Sequence, residues 1–196
     1  VGVVGNFANL SKKRGADPNS LSSGIFAANL ASVLSDAIII AFVSPLLVFS
    51  VAPPLAALVI LLLAATLFFR SKAQKFKPNL GQPFSVIYAA KFGIAFFAIT
   101  LAIELISHFG LGSAPYAIYL LSFLAGLVSV TPIAVSLAFE AGSVLSYGVA
   151  SRALMLAIIA GMVAKMALLM FVASPQLRNK TVPVLLASAA IGLAAI

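Results

Sequence analysis

The chain of 196 residues is 63% hydrophobic and only 8% charged, with no cysteine and a formal net charge of +8, against roughly 45–50% and 25% in a soluble domain. This composition excludes an ordinary soluble fold, disulfides, thiolate catalysis and cysteine-held metals or clusters, and the single His108 argues against an all-protein zinc site. The basic residues concentrate in short connecting segments, as in cytoplasmic loops facing anionic lipid, so the expected partner is the lipid bilayer and not nucleic acid.

The expected fold class is all-α, a polytopic helical membrane protein with about six transmembrane helices. Apolar runs of about 20 residues match a hydrocarbon core of about 30 Å and predict helices rather than a barrel of alternating strands. Residues 1–10 read as the end of a helix, and residues 11–20 (SKKRGADPNS) as a basic loop. A first span is expected over 21–43. Ser44-Pro45 and Pro53-Pro54 bracket an expected turn, followed by a second span over 55–69, because proline is tolerated in the first turn of a helix. Residues 70–81 (RSKAQKFKPNLG) form a second basic loop, and the two loops hold seven of the twelve Lys and Arg residues. The positive-inside rule places both in the cytoplasm.

A third span is expected over 83–107, with Lys91 snorkelling to the interface and Glu104 near the other end. A fourth covers 113 to about 128, interrupted at 126–132 (GLVSVTP), where Pro132 removes a helical hydrogen bond and disfavours helical geometry at Thr131. A fifth runs over 147–173, and a sixth apolar segment over 182–196. Six crossings put Arg178 and Lys180 outside, against the charge bias. A further half-helix over 131–146 would make the halves inverted and restore it.

An internal repeat is visible. Residues 31–45 (ASVLSDAIIIAFVSP) can be laid on 160–175 (AGMVAKMALLMFVASP) with one gap, setting Asp36 opposite Lys165. The small residues of GVVGNFANL also precede the first span much as GLVSVTPIAV precedes the fifth. One transmembrane domain over 1–196 is expected, with pseudo-repeat halves of about 1–70 and 83–196. The apolar opening without Met and the short apolar close predict a fragment of a longer protein, and no leader with a cleavage site supports a signal peptide.

Asp36 and Lys165 each sit inside an apolar stretch, where a charge costs about 2.5–3.5 kcal/mol on insertion scales, so an ion pair between them is expected to offset that cost. Asn29, Ser32 and Asp36 share one helical face by their spacing of three and four. Tyr119, Ser122, Gly126 and Ser129 form a stripe on the fourth span, and Gly161 lies one turn from Lys165. The ion or substrate residues expected are Asp36, Asn29, Ser32, Lys165, Ser129 and Thr131. For the Ser and Gly positions, close helix packing is the competing explanation. Glu104 and Arg152 read as interfacial anchors, and Glu140 as a helix-end carboxylate. No hydrolytic triad, phosphate loop, paired catalytic carboxylates or haem ligands can be assembled, so no catalytic residue, metal site or cofactor is expected, and the chain is not expected to be an enzyme.

The stretch GQPFSVIYAAKFGIAFFAITLAIELISHFG, followed by LLSFLAGLVSVTPIAVSLA, resembles the membrane domain of unknown function found C-terminal to MgtC/SapB-like domains. That family's helix start is matched by Pro83, Phe84 and Ser85, its downstream element by Ala90, Lys91 and Phe92, and its lysine by Lys165. The family's acidic positions at the break are here Ser129 and Thr131, and Asp36 stands where a basic residue is expected. The resemblance implies a multi-pass protein of the inner or plasma membrane, related to transport, and names no substrate. Two functions are expected as alternatives: a transporter with a polar midplane site, or a structural or accessory subunit working with other membrane subunits or as a homo-oligomer.

Overall fold

The computed structural model describes residues 2–12, 16–70, 86–108, 115–194 and 196, and the side chains of all of these except 2, 86–93, 95, 106 and 107. Most of both expected basic loops, the 83–85 motif, the Lys91 side chain and the connection after His108 lie outside the described residues. Among the described residues are eight α-helices and no strand: α1 (Gly2–Leu10), α2 (Pro18–Val43), α3 (Pro45–Phe68), α4 (Val86–His108), α5 (Pro115–Val128), α6 (Val130–Glu140), α7 (Tyr147–Val172) and α8 (Pro175–Leu193). Three of them, α2, α3 and α7, are long and apolar enough to cross a membrane, with mean hydropathies of 2.0, 2.7 and 2.3.

Local chemistry explains the helix starts. Asp17 accepts hydrogen bonds from the N–H groups of Asn19 and Ser20 at 3.0 and 3.1 Å, with Pro18 preset for the first turn. Ser146 caps α7 by accepting from Val149 N–H at 3.3 Å. Pro45 and Pro175 each open a helix directly after a serine.

Two expected boundaries are corrected. The second span does not begin after Pro54: α3 starts at Pro45 and carries Pro53 and Pro54 in its interior, so Ser44 alone links α2 to α3. One turn before the prolines, the Ser50 hydroxyl donates to Leu46 O at 3.2 Å. The two prolines cannot donate to the carbonyls of Phe49 and Ser50, a loss that membrane helices tolerate where neighbouring helices pack against them. The last segment likewise begins at Pro175 and runs through Pro183; within it the Thr181 and Ser188 hydroxyls donate to the carbonyls of Leu177 and Val184 at 2.9 Å each.

Hydrogen bonds between elements fix which helix ends meet. Ser174 N–H donates to Ser11 Oγ at 2.9 Å, and Lys180 Nζ donates to Asn19 Oδ1, so α7 ends and α8 begins where α2 begins. Ser23 Oγ donates to Thr66 O at 2.9 Å, and the Phe26 and Phe69 rings lie 5.6 Å apart, which brings the end of α3 to the same place. The long helices α2 and α7 therefore run in opposite directions. Helix α1 packs on α2 and α7, α6 on α7 and α2, and α3 on α8. Phe42, Phe49, Phe68 and Phe171 project outward from near helix ends, 76 to 87% exposed. Such a surface suits lipid and its interfaces rather than water.

Candidate functional site

The site is built around a close crossing of α5 and α7. A Cβ at Gly126 would lie 2.4 Å from Ala157 O, and one at Gly161 would lie 2.7 Å from Val130 Cγ2 and 3.5 Å from Gly126 O. Only glycine permits this approach, which brings the end of α5 against the middle of α7. The Cβ position of Gly126, tilted toward the N-terminal end of α5, meets Ala157, while its carbonyl, pointing toward the C-terminal end, faces Gly161, so α5 runs in the same direction as α7.

Immediately beyond Gly126 the helix breaks, as expected over 126–132. Ser129 is extended, with φ −161° and ψ 131°, and α6 begins at Val130. Pro132 has no N–H to offer the Val128 carbonyl, so one bond of the α-helical ladder is missing where the chain turns extended. The region after the break is helical for 11 residues, which the sequence pattern offered only as an alternative.

Thr131, at the start of α6, donates from Oγ1 to Asp36 Oδ1 at 2.7 Å. Lys165 Nζ donates to Asn29 Oδ1 at 2.6 Å, while Asn29 Nδ2 donates to Ile25 O at 2.8 Å. Asn29 and Asp36 are buried on one face of α2, as their spacing predicted. Ser32, Ser129, Thr131 and Lys165 meet around a pocket of about 80 Å³, completed by Gly126, Val128, Val130 and Gly161. All six expected site residues are thus brought together, in two hydrogen-bonded pairs and a shared pocket.

The expected ion pair is corrected. Among the described residues no ion pair within 4.0 Å joins Asp36 to Lys165, although the two charges are near enough to attract. The reason is directional. Counted from Pro18 and Tyr147, each residue is the nineteenth of a 26-residue helix, about 8 Å beyond its midpoint. Because the helices are antiparallel, the two displacements point opposite ways. Lys165 reaches back to Asn29, the twelfth residue of α2, and Asp36 is left to Thr131.

Other expected residues fall outside this cluster. Glu140 closes α6 near Glu104, and its backbone carbonyl accepts from the N–H groups of Ser143, Val144 and Leu145 at 3.3, 3.1 and 2.9 Å, a turn-forming role. Ser122 is fully buried, and its hydroxyl has no hydrogen-bond partner. One contact was missed in the sequence: Thr100 Oγ1 donates to Ser136 Oγ at 3.0 Å, tying α4 to α6. Hydroxyls at matching depths in two apolar segments were its only signal.

A family model described as Domain of unknown function (DUF4010) matches residues 2–173. No curated protein and no solved structure matches the chain.

Proposed function

The chain belongs to the DUF4010 family, a domain of unknown function, and we propose that it is a transporter-like multi-pass protein of the cell membrane that moves an ion or small solute between two repeated halves. One observation carries this reading: in a bundle of apolar helices, the break at Ser129 opens on a pocket lined by Lys165, Ser32 and Thr131. Backbone interrupted at membrane depth is tolerated where protein or a water-filled cavity satisfies it, and broken helices of this kind form transporter binding sites. In this reading Asp36 is the ion-binding or coupling carboxylate and Lys165 its internal counter-charge.

The repeat is part of the proposal. In its support, α2 and α7 each have 26 residues, each follows a short helix and each is succeeded by a helix with proline in its first turn. Asp36 and Lys165 hold the same place in the two long helices. The six apolar segments are α2, α3, α4, α7 and α8 together with the α5–α6 pair, and the basic end of the bundle faces the cytoplasm. Placement beside an MgtC/SapB-like domain is a further part of the proposal, supported by the sequence resemblance alone.

The test is charge movement and solute uptake in proteoliposomes on a solid-supported membrane, screened over monovalent and divalent ions and small organic solutes. A response lost in Asp36→Asn and Lys165→Met, but kept in Gly148→Ala, is expected. A response unchanged in both charge variants overturns the assignment of the site.

The second reading, an accessory subunit of a larger membrane complex, is favoured by the small pocket and by the use of both charges in interhelical hydrogen bonds. Native mass spectrometry of the particle extracted in mild detergent separates the two. A stoichiometric assembly with other subunits supports the accessory role, and a monomer or homo-oligomer supports the transporter.

A further inference from the structure

We infer that α5 and α6 form a re-entrant hairpin, entering and leaving the bilayer at the same face with Ser129 at its tip, and that the two halves of the domain are inverted. One end of the bundle fixes the helix directions. Ser11, Asn19, Ser174 and Lys180 meet there, so α2 leaves this end and α7 arrives at it. A 26-residue helix rises about 39 Å, more than the hydrocarbon core, so Tyr147, the first residue of α7, lies at the opposite end.

The turn joining α6 to α7 therefore lies at that opposite end too. It is short and tight: Gly142 N–H donates to Leu145 O at 2.7 Å, and Gly142, at φ +87°, packs against Tyr147. Helix α6 starts beside Asp36 and Lys165, deep in the bundle, and its 11 residues rise about 16 Å. That length carries the chain from mid-bundle back to the turn. Helix α5 runs in the direction of α7, so it starts at the same opposite end and descends to Ser129. The nearness of Glu104, close to the end of α4, to Glu140 at the end of α6 agrees with this path.

Length alone does not decide the matter, because residues 115–140 laid end to end as one helix would also span the core. Such a helix would place the 141–145 turn at the end where α7 finishes, against the positions of Ser174 and Lys180. Charge agrees with the hairpin. Lys12, Arg70, Arg178 and Lys180 mark one end, and the segments 13–14 and 72–77 joined to it in sequence bring the number to nine of the twelve basic residues. The two cations that six crossings put outside are then inside, with the others.

Inversion gives the two buried charges separate duties. Asp36 lies on the side of the midplane nearer the α6–α7 turn, and Lys165 on the side nearer the basic end. A solute reaching the hairpin tip from either face meets one of them first. This last consequence rests on the transport reading, whereas the hairpin topology stands without it.

The absence of cysteine makes the test direct. Lys12→Cys, Gln176→Cys and Ser143→Cys replace exposed residues and are labelled with a membrane-impermeant maleimide in sealed vesicles of known orientation, before and after permeabilisation. Lys12→Cys and Gln176→Cys are expected to react from one face and Ser143→Cys only from the other. If Ser143→Cys shares the face of Lys12→Cys, or Gln176→Cys opposes it, the inference is overturned. Val144→Cys replaces Ser143→Cys if that variant does not accumulate. Because labelling needs no transport, an inactive protein with the expected pattern removes the transport proposal and leaves the hairpin.

Discussion

The hydroxyl of Thr131 donates to the carboxylate of Asp36 at 2.7 Å across 95 positions of sequence, fastening the helix break to α2. Thr131→Val keeps the shape and removes this bond, leaving a buried carboxylate without its partner. A loss of about 1–3 kcal/mol is expected, read by differential scanning calorimetry in detergent. Thr131→Ser keeps both the hydroxyl donor and the Asp36 charge and should unfold closer to the parent. Equal losses in the two variants would show that the bond is not what holds the break in place.

Lys165 and Asp36 attract without touching, so their coupling should appear as an energy between them rather than as a contact. Lys165→Met alone leaves Asp36 as an uncompensated buried charge, and Asp36→Asn alone does the converse. The double variant is expected to be more stable than the sum of the single losses predicts, by about 0.5–3 kcal/mol. Simple additivity in thermal unfolding would mean that the two charges act independently.

The glycine crossing makes a comparison of two substitutions informative. Gly126→Ala sets a methyl group against the backbone of Ala157, which cannot move without parting α5 from α7, whereas a methyl group at Gly148 meets nothing within 4 Å. The first should cost about 1–3 kcal/mol by overpacking. The second should be neutral or stabilise by up to about 1 kcal/mol, since alanine is the better helix former. Similar melting temperatures for both would contradict the close approach of the two helices.

Ser122 offers a gain. Its hydroxyl is buried with no hydrogen-bond partner, and a group in that position carries a desolvation cost of about 1–3 kcal/mol. Ser122→Ala should therefore raise the melting temperature. A lower one would indicate that the hydroxyl finds a partner in the membrane-embedded protein.

The sequence was most informative where a single physical rule dominates. Long apolar stretches must be helical in lipid, because no water is there to satisfy the backbone, and so the all-α class, α2 and α7 were legible from composition and length. The break was legible because Pro132 lacks an N–H. The shared face of Asn29 and Asp36 followed from helical periodicity. The expected turn before residue 55 failed for the complementary reason: proline marks a boundary by local sterics, but α3 runs through Pro53 and Pro54 because it is held by its neighbours on both sides.

What residues 31–45 and 160–175 could not convey is direction. Their likeness puts Asp36 opposite Lys165 in an alignment, and an alignment has no up or down. Whether two residues aligned in this way face each other or lie on either side of the bundle's middle depends on which helix ends meet, and contacts between distant residues, Ser11 with Ser174 and Asn19 with Lys180, decide the directions of α2 and α7. Local propensity and hydropathy decide that a segment is helical and how far it runs. Only the packing of glycine against backbone and the pairing of polar groups across helices decided that Lys165 turns to Asn29 and Asp36 to Thr131.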